Sequence, residues 1–120
     1  MTYHVRSKKT SDAGTLLEDW GSLMWLASDA LTGSGITVGR VTIKPGCANP
    51  RHAHDSCEEV LYLLQGQLSH SIGDETIDLV AGDTLVVPPG VMHHAVNHGE
   101  VDAEMIVAYN NGTRDFRTEA

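Results

Sequence analysis

The sequence predicts an all-β sandwich or barrel, and three observations lead there. After residue 35 the apolar segments are short, and many alternate with polar positions. Turn formers punctuate them at close intervals, in KPGCANP, GDE, AGD, PPG, NHG and NNG. At 120 residues the chain has room for one hydrophobic core. Short strands separated by turn signals are the pattern of a sandwich or barrel.

The elements follow in order. In the first 35 residues, Leu16, Leu17, Trp20, Leu23 and Met24 recur at helical spacing, while SLMWLA also suits a buried strand. We assign an early strand at 22–27, preceded by an irregular arm. Strands are then expected at 36–43, 58–65, 67–72, 75–79, 84–87, 93–97 and 102–109. Gly73-Asp74, inside SIGDETI, reads as a hairpin turn. Pro88 and Pro89 cannot donate to a ladder and stop the strand before them. RDFRTEA reads as a frayed tail. The organisation is an arm with the first strand or strands at 1–35, a β body at 36–110 and a C-terminal tail at 111–120.

Composition narrows the function classes. Eight Lys and Arg against 16 Asp and Glu give a formal net charge of −8. An acidic chain with no basic run is poorly suited to neutralising phosphates, so nucleic acid is not an expected partner. No apolar run approaches the roughly 20 residues of a membrane span. MTYHVRSKKT carries charge without an apolar stretch, which favours a cytoplasmic location. Cys47 and Cys57 are too few for a disulfide framework and read as reduced thiols, with a bridge between them left open. The unusual count is histidine: six of seven (His52, His54, His70, His93, His94 and His98) lie between residues 52 and 98.

His52 and His54 are two residues apart, so an extended backbone turns both imidazoles to one face, as a strand presents two nitrogen ligands to a metal. Glu58 and Glu59 follow at the start of an apolar strand. Both faces of that strand are apolar, so parity alone does not say which carboxylate points inward. His93 opens a later strand just after a proline-glycine turn. Three imidazoles and one carboxylate suit Fe, Mn, Zn, Ni, Cu or Co, and are too rich in nitrogen for Mg or Ca. An isolated His-x-His on a solvated strand face is the plain alternative.

The framework around these residues resembles the two signatures of the cupin superfamily. Gly46, five residues, His52-x-His54, four residues, Glu59, six residues and Gly66 are similar to the first. Gly82, five residues, Pro88-x-Gly90, two residues, His93, three residues and Asn97 are similar to the second, fifteen residues on from Gly66. The resemblance implies a double-stranded β-helix, a small jelly-roll barrel with a metal inside. It implies His52, His54, Glu59 and His93 as the ligands of one divalent transition metal per chain, with Glu58 outside. It also suggests a homodimer, to which LLEDWGSLMWLA would contribute. The alternative is that this stretch closes the barrel of its own chain. The glycines at 46, 66, 82 and 90 are expected to supply turn conformations.

Other residues carry two readings each. His70 shares the apolar face of Leu68 and Ile72, as a pocket residue able to shuttle a proton or as a core histidine bonded to a carbonyl. His94 has the opposite parity to His93 and is expected outside the ligand sphere, His98 solvated and Cys57 a bystander. Asn97 is expected to brace a turn. Arg40 and Arg51 would pair with an anionic substrate or stay solvated. Tyr62, Trp25, Met24, Met92 and Met105 would line a pocket, the core or a dimer interface.

Three function classes remain. The first is an oxygenase, such as a dioxygenase, acting on a small polar organic molecule at a redox metal. The second is a Lewis-acid isomerase, epimerase or lyase. The third, the alternative to an enzyme, is a small-ligand-binding or sensor barrel. Fold does not choose among them.

Overall fold

A computed structural model describes residues 3–119. It consists of two short helices, α1 (Lys8–Ala13) and α2 (Asp29–Thr32), and eleven strands. The strands are β1 (Leu16–Glu18), β2 (Gly21–Ala27), β3 (Thr37–Ile43), β4 (His52–Ala53), β5 (Glu59–Gln65) and β6 (Gln67–Ile72). They continue as β7 (Glu75–Val80), β8 (Thr84–Val87), β9 (His93–Val96), β10 (Ala103–Tyr109) and β11 (Arg117–Thr118). A six-stranded sheet runs β1-β2-β3-β10-β5-β8, and a five-stranded sheet runs β11-β4-β9-β6-β7. Every pairing is antiparallel. Two facing antiparallel sheets of this order form the jelly roll that the motifs imply.

Alternation builds the interior. On β3, β5 and β10 every second residue turns inward, placing Val41, Ile43, Leu61, Leu63, Met105 and Val107 in one core. Burying each such side chain contributes about 1.5–3 kcal/mol. The same alternation resolves what the apolar pattern of β5 left open. Glu59 shares the face of Leu61 and Leu63 and is 3% exposed, whereas Val60, Tyr62 and Leu64 face outward.

The turns follow their residues. β6 and β7 join through Gly73-Asp74 alone, with Ile72 opposite Glu75, and Gly73 has φ +56°. Gly66, between β5 and β6, has φ +83°, and a Cβ there would lie 2.8 Å from the Asp102 carbonyl oxygen. That position admits glycine for two reasons at once, conformation and space. Asn97 is fully buried. Its amide donates to the carbonyls of Ile43 and Val101 at 2.9 and 2.8 Å, and its Oδ1 accepts from the Gly99 amide at 2.9 Å. It therefore ties the end of β3 to the loop between β9 and β10.

Two expectations are corrected. The N-terminal stretch is not an irregular arm throughout: Ser7 caps α1, and β1 and β2 extend the six-stranded sheet through the β2–β3 pairing. Trp20, Leu23 and Trp25 pack on this chain's own core. The C-terminal segment is not frayed either. β11 pairs with β4, and Glu119 accepts from Arg51 Nε at 2.7 Å. Composition showed only a short polar run there, and the pairing depends on where β4 lies in space. Residues 1, 2 and 120 lie outside the described residues.

Replacing Asn97 with Ala should lower unfolding stability by about 2–4 kcal/mol, because it strands buried carbonyls. Urea denaturation with an unchanged slope checks this, and a loss under about 0.5 kcal/mol, the range of an ordinary surface change, would remove the bracing role.

Candidate metal centre

His52, His54, Glu59 and His93 come together inside the barrel, all buried, with one potential ligand atom each and all four atoms within 4.8 Å of one another. Three strands and a loop deliver them. β4 turns His52 inward and the chain just beyond it delivers His54, β5 opens with Glu59, and β9 opens with His93 directly opposite His52.

The ring orientations follow from backbone carbonyls. His52 Nδ1 lies 2.6 Å from the Pro50 carbonyl, His54 Nδ1 2.6 Å from that of Asp115, and His93 Nδ1 2.9 Å from that of Val91. A carbonyl only accepts, so each Nδ1 carries the proton and donates it. In the neutral ring Nε2 is then left as a lone-pair donor. His54 Nε2 and His93 Nε2 lie 3.2 and 3.3 Å from Glu59 Oε1, and His54 Nε2 is buried without a hydrogen-bond partner. Lone pairs and a carboxylate oxygen facing one another in a dry pocket repel unless a cation lies between them. The donor set therefore fits a borderline transition metal.

A proton on Nε2 is the other way to satisfy these contacts: burial alone would raise the Glu59 carboxyl, but hydrogen bonds from the His54 and His93 imidazoles outweigh it and hold Glu59 far below the usual carboxylate range, while Glu59 raises His93 against the effect of burial. Burial lowers His52 to about 4, which keeps the ring neutral and its lone pair available. Burial, then the Glu59 charge, pushes the Tyr109 phenol well above its ordinary value. Tyr109 faces Glu59 across the β5–β10 ladder.

The remaining sequence candidates separate cleanly. His70 is 1% exposed and lines the same cavity as the cluster. Its ring is nearly parallel to that of His93 at 5.7 Å, and its Nδ1 is buried without a partner. Burial lowers it to about 4. His94 lies outside the cluster, bonded to Ser71, and His98 is exposed. Cys57 is a free, buried thiol, pushed up by burial, and Cys47 is also free. Trp25 and Met105 line the cavity, while Tyr62 faces outward and Met24 lines a separate pocket with Arg40 and Glu104. Neither arginine singled out from the sequence lines the cavity. Arg40 pairs with Glu104 at 3.2 Å. Arg51 ties Glu119, Ser71 and the Gly73 carbonyl together.

Three residues that sequence reasoning passed over belong to the site's surroundings. Phe116 stacks on His52, with ring centroids 4.7 Å apart at 26°. Asp115 accepts from the Asp55 and Ser56 amides at 2.7 and 2.9 Å and from the Ser56 hydroxyl, fixing the chain just after His54. Arg114 lines the cavity, its guanidinium carbon 4.6 Å from the Trp25 ring centroid. The available signal was period two. Arg114 and Phe116 fall on one face of an extended tail and Asp115 on the other, by the rule that pairs His52 with His54.

Residues 39–109 match the family model of the cupin domain, and the chain belongs to the cupin family. It is 31% identical to oxalate oxidase 1 of Hordeum vulgare over 120 residues, covering 88% of this chain and 58% of that one. It is 36% identical to germin-like protein 3-5 of Oryza sativa subsp. japonica over 85 residues, 64% of this chain and 37% of that one. The chain thus spans about half the length of the curated relatives it matches. Among solved structures, recombinant oxalate oxidase in complex with glycolate superposes with a TM-score of 0.75 at 24% identity, covering 85% of this chain and 56% of that one. A Lactobacillus farciminis oxalate decarboxylase formate complex superposes with a TM-score of 0.81 at 21% identity, covering 87% and 32%. Both share the fold.

Acid sensitivity should report the Asp115 clamp. The Ser56 hydroxyl above all, then the Asp55 and Ser56 amides, hold the Asp115 carboxyl well below its usual range. Its stabilisation is complete above the ordinary carboxylate pKa of about 3.9 and is lost as pH falls through the lower folded value. Asp115→Ala should cost about 1 kcal/mol at neutral pH, as loss of a capping carboxylate does. It should also flatten the stability profile below about pH 4, where wild type loses this contribution. Parallel wild-type and variant pH profiles of thermal unfolding check both.

Proposed function

We propose that this chain is a metal-dependent enzyme acting on a small, oxygen-bearing organic molecule. It would hold one divalent transition metal on His52, His54, Glu59 and His93. What supports the reading is the convergence of four buried donor atoms within 4.8 Å, with the three imidazoles turned by carbonyls so that Nε2 is free. When bound, the metal supplies Lewis-acid polarisation of a substrate oxygen or, for a redox metal, one-electron chemistry. The relatives named above as oxidases and decarboxylases of oxalate lend weight to an organic acid.

The chain's own residues divide the remaining work. Glu59 brings a fixed negative charge and the three imidazoles bring neutral donors, so the set carries a net charge of about −1 toward a divalent cation, counting one ionised carboxylate. The apolar walls formed by Leu61, Met105 and Val107 exclude water from the reacting face. His70 offers a neutral ring with an unpartnered Nδ1 beside His93. We assign it to receiving or returning a substrate proton.

Elemental analysis of untagged protein purified without chelator should find metal near one equivalent per chain. His52→Ala and Glu59→Ala should each lose most of it, and full retention in both would place the metal elsewhere. Turnover should vanish on chelation and return on reconstitution, whereas stoichiometric ligand binding without product would favour a sensor. His70→Gln should keep the metal content while turnover drops about a hundredfold, the low end for a general acid–base group.

A further inference from the structure

Arg114 is a cation in a cage of rings. Its guanidinium carbon lies 4.6 Å from the Trp25 centroid and 5.3 Å from those of Tyr109 and Phe116. Its Nε is buried without a partner. Among the described residues it makes no ion pair, although carboxylates are nearby. Each of those is otherwise engaged. Asp115 caps the 55–56 amides, Asp55 takes Arg117 at 2.9 Å, Glu119 takes Arg51 and Glu59 lies among the imidazoles. Glu18, at the cavity rim, is exposed and unpaired.

A guanidinium keeps its charge at any ordinary pH and presents a planar fork of donors. Rings attract the charge, and the Tyr109 hydroxyl is within reach of the fork, but Nε is left without a partner. The chemistry that completes the site is a carboxylate entering from the cavity. Phe116 touches both the guanidinium and the His52 ring, so the cation lies about one ring's breadth from the metal-ligand cluster. The cavity between has a volume of about 470 Å³ and walls that include Trp20, Leu23, Val41, Leu61, Met105 and Val107. That is the size of an ordinary small-molecule site, roughly 300–1,000 Å³. A two-carbon diacid would leave most of it empty against apolar walls.

We infer that Arg114 anchors the substrate, and that the substrate is a carboxylic acid with an apolar, ring-sized body. Its carboxylate sits on the guanidinium, and its far end reaches the His52, His54, Glu59 and His93 group. Only that last clause rests on the metal-enzyme reading.

The test titrates metal-loaded protein with phenylacetate and 3-phenylpropionate, their neutral carboxamides, and oxalate. Tryptophan fluorescence follows binding, since Trp20 and Trp25 line the cavity, calorimetry confirms it, and metal content is measured on every sample. The aryl acids should saturate, with the carboxamides and oxalate about tenfold weaker or more. Arg114→Met should weaken the aryl acids by about tenfold or more at unchanged metal content, and Arg114→Lys by less, because it keeps the charge and loses the fork. Equal affinity for acids and amides, preference for oxalate, no saturation by either acid, or wild-type affinity in Arg114→Met would each overturn the inference. Should Arg114→Met not fold, the acid–amide comparison on wild type decides. Protein that takes up no metal yet still prefers acid to amide would sink the metal-enzyme reading and leave the anchor standing.

Discussion

A carboxylate taken out of water costs several kcal/mol unless its surroundings replace the lost hydration. Glu59 meets that condition at 3% exposure because the barrel supplies polar partners from several directions. The parity of β5 turns it inward, the β5–β10 register sets Tyr109 opposite, and imidazoles arrive from β4 and β9. Those imidazoles are oriented in turn by the carbonyls of Pro50, Val91 and Asp115, which lie in irregular segments. Strands therefore deliver the ligands, and loops decide which nitrogen faces the cavity. This makes sense of a framework in which Gly46, Gly66, Gly82 and Gly90 all have φ between +76° and +97°. The turns must be held as firmly as the ladders.

The C-terminal segment completes this arrangement through a division of labour along an extended chain. Arg114 and Phe116 turn toward the cavity, while Asp115 turns back to the 55–56 amides and Arg117 reaches Asp55. The Asp115 backbone oxygen at the same time holds His54 Nδ1. One short segment thus fixes a ligand's tautomer, stacks on another ligand and supplies the cavity's unpaired cation. Loosening it would disturb geometry and charge together, so stability and binding at this site are physically linked.

How much of this the sequence disclosed varies with the range of the interaction. The strand at 36–43 appears as Thr37–Ile43, and that at 102–109 as Ala103–Tyr109, because alternation and turn residues act locally. The four clustered residues were legible because each is tied to a turn at a fixed offset: His52 to Gly46, His93 to Pro88 and Gly90. The Glu58 or Glu59 choice was not legible from pattern, since Val60, Tyr62 and Leu64 are apolar and yet face outward. β4 and β11 are two residues each, too short for any periodicity to register. Arg114 was missed for a different reason. Its environment is three rings brought together from β2, β10 and the tail, and nothing local to RDFRTEA indicates them.

The same division bears on what family membership can convey. All four clustered residues fall within positions 46–97, the span of the two motifs. Trp20, Leu23 and Trp25 come from the N-terminal hairpin, Met105 and Val107 from β10, and Arg114 and Phe116 from the tail. The motif span thus governs whether a metal can be held, and much of the cavity wall is drawn from outside it. A relative can share the fold while its flanking segments build a different wall, as the 24% identity to an oxalate oxidase with a TM-score of 0.75 leaves room to do. In this chain those flanks build a wide apolar chamber with one caged cation. If Arg114 anchors a carboxylate as proposed, the room for a larger acid beside it would be set by Trp25 and Phe116, and none of these three residues lies in the motifs.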